Sequence, residues 1–311
     1  MKRALNNPVI YVVGPTASGK TALSIEIAKR FGGQIICGDS MQVYKNMPIA
    51  TAAPTKEEMS GVRHRLFEFL DPSEKFSVSD FVLLAKKEIE EVKNEGALPI
   101  VVGGTGLYIT SLAENIDFGA EENDGSIRKS LEQRAEKEGL EALYNELCLI
   151  DSVSAQKISK NDAKRIIRAL EVYILSGENI TERKKKSREK GIIYDNIFIG
   201  VNYLDRQTLY DRINKRVDIM LDRGILEEAK NCYNKGNKTS AQAIGHKELI
   251  PFLNGEISLE EATEHLKMQT RRYAKRQITW FSKNEEINWV YMDDDKDPIL
   301  KATEIIKAKL L

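Results

Sequence analysis

No part of the chain is apolar for the roughly 18 residues that a membrane helix needs, and its first residues form no signal-like apolar run of about 7–15. Neither a spanning segment nor a secretory leader is expected. Cysteine is scarce: Cys37, Cys148 and Cys232 are odd in number, far apart and contain no C-x-x-C pair. That argues against a disulfide framework and a zinc module, and for free thiols in a reducing compartment. An excess of either charge is also missing, because Lys+Arg and Asp+Glu each number 47. A net charge of zero gives no global attraction to nucleic acid, so any such surface must arise by local clustering. No internal repeat is visible. What remains is a cytoplasmic globular protein whose 311 residues suggest about two domains, with 41% hydrophobic residues to fill their cores.

Against these absences stands one dense motif. The β-branched run Val9-Ile10-Tyr11-Val12-Val13 breaks into Gly14-Pro15-Thr16-Ala17-Ser18-Gly19-Lys20-Thr21 and continues into a helical pattern over 21–31, which stops at Gly32-Gly33. Strand, G-x-x-x-x-G-K-[ST] loop and helix in that order describe a phosphate-binding loop. Glycines let backbone N–H groups turn towards an anion, Lys20 adds a point charge and Thr21 offers a hydroxyl to Mg²⁺. The loop calls for a bound di- or triphosphate without saying whose phosphate it is.

Further strands are expected at 34–38 and 98–102, with a helix at 79–94 between them. Successive βα units imply a parallel sheet, and ligands in such sheets lie beyond the carboxyl ends of the strands. By that rule the loop, Asp39 after the second strand, and Thr105 within Gly103-Gly104-Thr105-Gly106 after the third should converge. From about 115 to 195 strand character disappears. Helices are expected at 126–137, 140–149 and 162–175, the last with Asp162 as N-cap and Gly177 as its stop. The run Arg183-Lys184-Lys185-Lys186-Ser187-Arg188-Glu189-Lys190 reads as an exposed basic loop. Strand character returns at 196–201. Helices follow at 206–223, at 225–234 and from the capping box Ser258-Leu259-Glu260-Glu261 to about Phe281, then a short strand at 288–291 and an amphipathic terminal helix. The expected architecture is α/β: a P-loop NTPase-like parallel sheet core over 1–114 and 196–311, with a helical insertion domain over 115–195.

Asp39 admits three uses: Mg²⁺ ligand, general base, or helix N-cap. The glycines around Thr105 serve either a ligand or close packing. Among ATPases an acidic residue normally ends an apolar strand to hold Mg²⁺. The strand at 98–102 ends without one, which weakens a hydrolase reading and favours a transferase.

Taken together, the phosphate loop, Asp39-Ser40-Met41-Gln42-Val43-Tyr44, Gly103-Gly104-Thr105-Gly106-Leu107-Tyr108, Lys164-Arg165-Ile166-Ile167-Arg168-Ala169-Leu170-Glu171, Gln242-Ala243-Ile244-Gly245-His246-Lys247-Glu248 and Arg272-Tyr273-Ala274-Lys275-Arg276-Gln277 resemble the tRNA dimethylallyltransferase family in order and over nearly the whole chain. The resemblance implies transfer of a dimethylallyl group from dimethylallyl diphosphate to the N6 amine of the adenosine beside the anticodon. It implies that the loop, Gly14 to Thr21 by residue, holds the diphosphate as a leaving group, with Lys20 and Mg²⁺ on Thr21 stabilising the departing charge. Asp39 matches the family's general base, and Thr105 a position where substrate meets diphosphate. Asp39, Ser40, Met41, Gln42, Thr105, Arg128, Lys164, Arg165, Ile166, Ile167, Arg168, Arg272, Lys275 and Arg276 are the implied contacts to the tRNA anticodon stem-loop. The basic helix face of Arg271, Arg272, Lys275 and Arg276 equally suits plain solvation, and the run 183–190 reads as a loop that contacts phosphate or is merely solvated. A monomer is expected. Where the family often has two adjacent histidines, this chain keeps only His64, so His64 and His265 are read as packing residues; His246 replaces a common aromatic, and the C-terminal zinc finger of some relatives is missing.

Two rivals use the same core. An adenylate isopentenyltransferase would prenylate a free nucleotide and need no basic insertion, and a small-molecule kinase would turn over ATP. A non-catalytic RNA-binding module leaves the loop and Asp39 unexplained.

Overall fold

The computed structural model describes residues 6–118, 125–234 and 243–310; Gln242 of the fifth motif lies outside them. Along the chain run β1 (Pro8–Val13), α1 (Lys20–Phe31), β2 (Gly33–Cys37), α2 (Lys56–Met59), β3 (His64–Arg65), α3 (Val78–Asn94), β4 (Leu98–Gly103) and α4 (Gly106–Ala113). Helices α5 (Ser126–Glu138), α6 (Leu140–Ile150), α7 (Ser152–Lys157), α8 (Ala163–Ser176) and α9 (Ile180–Glu189) follow without a strand. The chain then continues through β5 (Asp195–Asn202), α10 (Arg206–Asp222), α11 (Ile225–Asn234), α12 (His246–Leu253), α13 (Leu259–Phe281), β6 (Asn288–Tyr291) and α14 (Pro298–Leu310). Two compact units result, Met1–Ala113 with Ile193–Leu311, and Glu114–Ile192.

The first unit is organised on a sheet of order β3-β2-β4-β1-β5-β6 in which every pair is parallel. Its central strand explains its own sequence. β1 lies between β4 and β5 and is covered on both faces, so it can be apolar throughout, and Val9, Ile10, Tyr11, Val12 and Val13 are fully buried. On one face Ile10 and Val12 join Ile35, Ile100 and Ile199, packed by Leu23 and Ile27 of α1 and Ile306 of α14. On the other, Tyr11 stacks on Phe198 with ring centroids 4.8 Å apart. Each such side chain contributes about 1.5–3 kcal/mol by leaving water. Pro99 is tolerated inside β4 because pairing to β1 starts one residue later, at Ile10 and Ile100.

At the sheet edge, β3 is held by Arg65, whose guanidinium reaches Glu88 (2.7 Å), Glu91 (3.0 Å) and Glu95 (2.6 Å) on α3 and its C-cap. His64 sits beside it, its Nδ1 2.9 Å from the Val62 carbonyl, with burial lowering its pKa; this is a packing histidine. His265, expected to pack, is instead exposed on α13, 3.0 Å from Gln269.

In the second unit, Leu131, Leu143, Leu147, Ile166, Ile167 and Leu170 form a core of their own. The caps of α8 are those read from the sequence: Asp162 accepts from the Arg165 N–H at 3.1 Å, and Gly177 closes the helix in the left-handed region. The basic run 183–190, in contrast, is not a loop. It belongs to α9, which a capping box nucleates: the Asn179 side chain accepts from the Glu182 N–H, and Glu182 accepts from the Asn179 N–H. Asp151 ties α7 to α9 by accepting from Ser154 N–H (3.0 Å), Thr181 N–H (3.1 Å) and Thr181 Oγ1 (2.7 Å).

The functional end of the sheet depends on missing side chains. A Cβ on Gly103, at the end of β4, would lie 2.2 Å from the Gly38 carbonyl oxygen that follows β2. The two strand ends approach so closely that only glycine fits at Gly103, which settles the glycine-rich sequence there as packing. Gly103→Ala should therefore cost about 1–3 kcal/mol by overpacking, read as a lowered midpoint in urea unfolding with an unchanged slope, while an alanine at solvent-exposed Gly96 should leave the contacts of this strand end intact.

Candidate active site

The loop after β1 folds into an anion cradle without an anion-like side chain of its own. Helix α1 begins at Gly19, which lies in the left-handed region and provides no side-chain cap, so its first N–H groups remain for a ligand. Ala17 also takes a positive φ of 62°, a strain of order 1–3 kcal/mol for a residue with a Cβ. Arg212 supports that residue by donating from Nε to the Ala17 carbonyl at 3.1 Å. The Ser18 hydroxyl is fully buried and has no hydrogen-bond partner in the ligand-free chain. A buried hydroxyl costs about 1–3 kcal/mol when unpaired, and an oxyanion in the cradle would relieve that.

Two cavities meet at this loop. The first, about 510 Å³, is lined by Ala17, Ser18, Gly19, Lys20 and Thr21 on one side and by Arg212, Lys215 and Arg216 of α10 on the other. The second, about 280 Å³, shares Lys20 and Arg216 with it and adds Thr16, Asp39, Ser40, Met41, Tyr273 and Arg276, with Val217, Met220, Ala243, Ile244 and Leu266 as apolar wall. Arg216 donates to Thr16 Oγ1 at 3.1 Å. Lys20 turns back onto the Pro15 carbonyl at 2.6 Å. Burial, then Arg216, push the Lys20 ammonium down to about 7, and Asp39 draws it back up only in part.

Asp39 and Thr105 follow the ends of β2 and β4. Asp39 Oδ1 accepts from the Met41 N–H at 2.9 Å, shaping a turn; no helix begins there, so the cap reading falls away. Thr105 Oγ1 accepts from the Ser40 N–H at 3.0 Å and donates to Ser40 Oγ at 3.2 Å, locking the two strand ends together. Gln277 of α13 adds the third connection. Its Oε1 accepts from the Thr16 N–H at 2.8 Å, and its Nε2 donates to the Gly104 carbonyl at 3.0 Å. Tyr273, one turn earlier, has its phenol pushed up by burial and by Asp39. The loop, Asp39 and Thr105 thus occupy one end of the sheet, as the strand-end rule predicts.

Other expected residues are placed differently. The Gln42 amide donates to the Thr51 and Ala52 carbonyls at 3.0 and 3.4 Å, so its side chain shapes the wall instead of facing the cavity. Arg272 and Lys275 are exposed on α13, while Arg276 also lines the second cavity and lies 5.6 Å from the Tyr273 ring centroid. In the second unit, the side chains of Ile166 and Ile167 are core, at 0% and 6% exposure, and cannot be surface contacts. Lys164, Arg165 and Arg168 project from the opposite face of α8 and are exposed. Arg128 and Arg168 share one oxygen of the fully buried Glu171 carboxylate, at 2.6 and 2.7 Å. Sequence reasoning missed Arg212, Arg216, Gln277 and Glu171. The first two carried a signal, an i,i+4 basic pair on an otherwise amphipathic helix.

A family model described as IPP transferase matches residues 42–284. A tRNA dimethylallyltransferase of Acetivibrio thermocellus is 48% identical over 94% of this chain and 95% of its own length. Among solved structures, a full-length tRNA isopentenylpyrophosphate transferase from Bacillus halodurans is 43% identical, covers 98% of this chain and 97% of its own, and has a TM-score of 0.73. A eukaryotic dimethylallyltransferase acting on tRNA is 29% identical, with a TM-score of 0.83 over 98% of this chain and 80% of its own. Agreement of this extent between a family model, relatives and solved structures makes the chain a member of the IPP transferase family of tRNA dimethylallyltransferases.

Proposed function

We propose that the chain transfers a dimethylallyl group from dimethylallyl diphosphate to the N6 amine of the adenosine beside the tRNA anticodon, releasing diphosphate, and that it does so as a cytoplasmic monomer. The observation that carries this reading is the second cavity. Lys20, Thr16 and Arg216 stand at its cationic end, Asp39 beside them, and an apolar wall continues from there. A diphosphate joined to a short hydrocarbon has that polarity; a nucleoside triphosphate does not.

In the proposed reaction the cradle N–H groups, Ser18, Lys20 and Arg216 bind the diphosphate and stabilise the charge that grows on it as the allylic C1–O bond breaks. The electron pair leaves with the diphosphate. N6 of the adenine forms the new bond to C1, and its proton passes to Asp39. Thr105, bonded to Ser40, fixes the turn that presents that carboxylate. Thr21, which lines the cradle, would hold Mg²⁺ through its hydroxyl, and the ion would supply charge neutralisation there.

The adenine must leave its stack to reach Asp39, and the flanking RNA must then be gripped. Arg128, Lys164, Arg165 and Arg168 are assigned to that grip, with Arg128 and Arg168 oriented by Glu171. Such a cationic face is what distinguishes this reading from an adenylate isopentenyltransferase, whose acceptor is a mononucleotide. No helix among the described residues is long and apolar enough to cross a membrane.

Four outcomes are expected. Labelled dimethylallyl groups should enter unmodified tRNA and not AMP or ATP; Asp39→Ala should lower that turnover by about 10²-fold or more while pyrophosphate affinity is kept, and loss of affinity instead would assign Asp39 to the metal. For Lys20, whose pKa of about 7 in the free chain lies below its ordinary 10.5, a bound anion must raise it. Pyrophosphate affinity should therefore be greatest below about pH 7 and fall above it by up to about tenfold per unit, with proton uptake seen by calorimetry in buffers of different ionisation enthalpy. Arg168→Ala should weaken tRNA binding and lower the slope of log affinity against log salt by about one, leaving the affinity for dimethylallyl diphosphate unchanged.

A further inference from the structure

The second unit carries a cavity of its own, about 470 Å³, between α7 and α9. Thr181, Lys184, Lys185 and Arg188 line it at steps of three, one and three along α9, which places all four on one helical face. Ser154 and Lys157 of α7 line it as well, and Glu189 is the one acid among its lining residues. Four cations against one carboxylate make a positive groove in a chain whose net charge is zero.

The other α9 side chains show what its cations do when they serve the fold. Arg183 donates to the Phe118 carbonyl at 2.7 Å, Lys186 pairs with Glu178, and Lys190 pairs with Asp117. Buried Ser187 accepts from the Asp117 N–H at 2.6 Å. On the groove face Arg188 lies 3.3 Å from Glu114, whereas the exposed ammonium groups of Lys157, Lys184 and Lys185 have no ion-pair or hydrogen-bond partner among the described residues. The hydroxyls at the buried end of the groove are committed elsewhere. Thr181 Oγ1 donates to Asp151, so Ser154 Oγ donates to Thr181 Oγ1 at 3.2 Å. An anion in this groove therefore meets charges on flexible stems at the rim, unlike the fixed cradle around Ser18. Such charges suit a sugar–phosphate backbone, which is held by neutralisation and needs no single geometry.

We propose that the groove between α7 and α9 is an RNA-phosphate site separate from the cations of α8, in which Lys157, Lys184 and Lys185 hold the tRNA backbone. The proposal rests on the reading of the chain as one that acts on tRNA. Phosphate contacts position a nucleic acid and carry no sequence information. The groove thus strengthens binding of every tRNA alike, and the choice of adenosine stays with the site around Asp39.

The test measures binding of unmodified tRNA at several salt concentrations, and dimethylallyl transfer, for the wild-type chain, for Lys184→Ala with Lys185→Ala, and for Lys186→Ala on the other face of α9. All three positions are exposed, and alanine preserves the helix. The groove variant should lower the slope of log affinity against log salt by about two, one per ammonium. Its KM for tRNA should rise, with kcat and the KM for dimethylallyl diphosphate unmoved. A tRNA that lacks the target adenosine should lose affinity by the same factor, and Lys184→Arg with Lys185→Arg should behave as wild type. Lys186→Ala should leave the slope as it was. An unchanged slope in the groove variant would overturn the proposal. A slope lowered by about one in Lys186→Ala would overturn it too, since the response would then be to net charge alone. Weaker pyrophosphate binding with unchanged tRNA affinity would give the groove to a small anion instead. Failure of the wild-type chain to transfer dimethylallyl groups to tRNA would be the separate failure of the functional reading.

Discussion

One buried amide holds the catalytic end of the sheet together. Gln277 reaches from α13 to the Thr16 N–H in the phosphate loop and to the Gly104 carbonyl after β4, so that two loops distant in sequence share a single side chain. No charged residue replaces it well, since the site asks for one acceptor and one donor at fixed positions in a buried place. Around that amide the structure leaves no slack. Gly104 has no room for a Cβ against Gln277 Nε2, and Gly103 has none against Gly38. The placement of the loop and of the turns that carry Asp39 and Thr105 is therefore set by backbone contacts and one amide.

Electrostatics divides the labour differently in the two units. In the first, Lys20, Arg212 and Arg216 stand close together at a cavity that Glu58 also lines, and Arg216 helps to lower the pKa of Lys20. In the second, Arg128 and Arg168 share Glu171, and Arg165 lies 3.3 Å from Asp162. A site that must bind and then release a small leaving group profits from a field that is strong and local. A surface that must hold a long polyanion in register profits from guanidinium groups that are oriented beforehand. The chain's zero net charge reflects the sum of the two arrangements and describes neither.

How much of this was legible depended on how local each signal was. The strand, loop and helix around Gly14 and Lys20 declare themselves within about twenty residues, and the caps Asp162 and Gly177 bracket α8 by side-chain chemistry alone. The parallel sheet followed from the order of such units. The strand β3 was invisible because two residues show no periodicity; it exists by pairing with β2 and by the grip of Arg65 on α3. The helix α9 was misread because its density of like charge looked like solvated loop, although Asn179 and Glu182 carried the capping signal. Gln277 and the α10 arginines act across more than 170 residues, and no local pattern distinguishes a glutamine that bridges two loops from one that faces water.

The position of β1 bears on how the chain is made. This strand is the first to be synthesised and the most apolar, yet one of its two partners, β5, begins at Asp195, after the whole of the second unit. At ribosomal speeds of about 5–20 residues per second, one edge of the central strand stays open for on the order of ten seconds or more. During that interval β1 can pair with β4 alone, and its remaining face of N–H and C=O groups is a template for any other extended chain nearby. The helices α5 to α9 have a separate core and need no part of the sheet in order to pack it, so they lengthen the wait without competing for the edge. Protection of nascent β1 is thus a requirement on the cell that the finished sheet, with its centre sealed on both sides, no longer reveals.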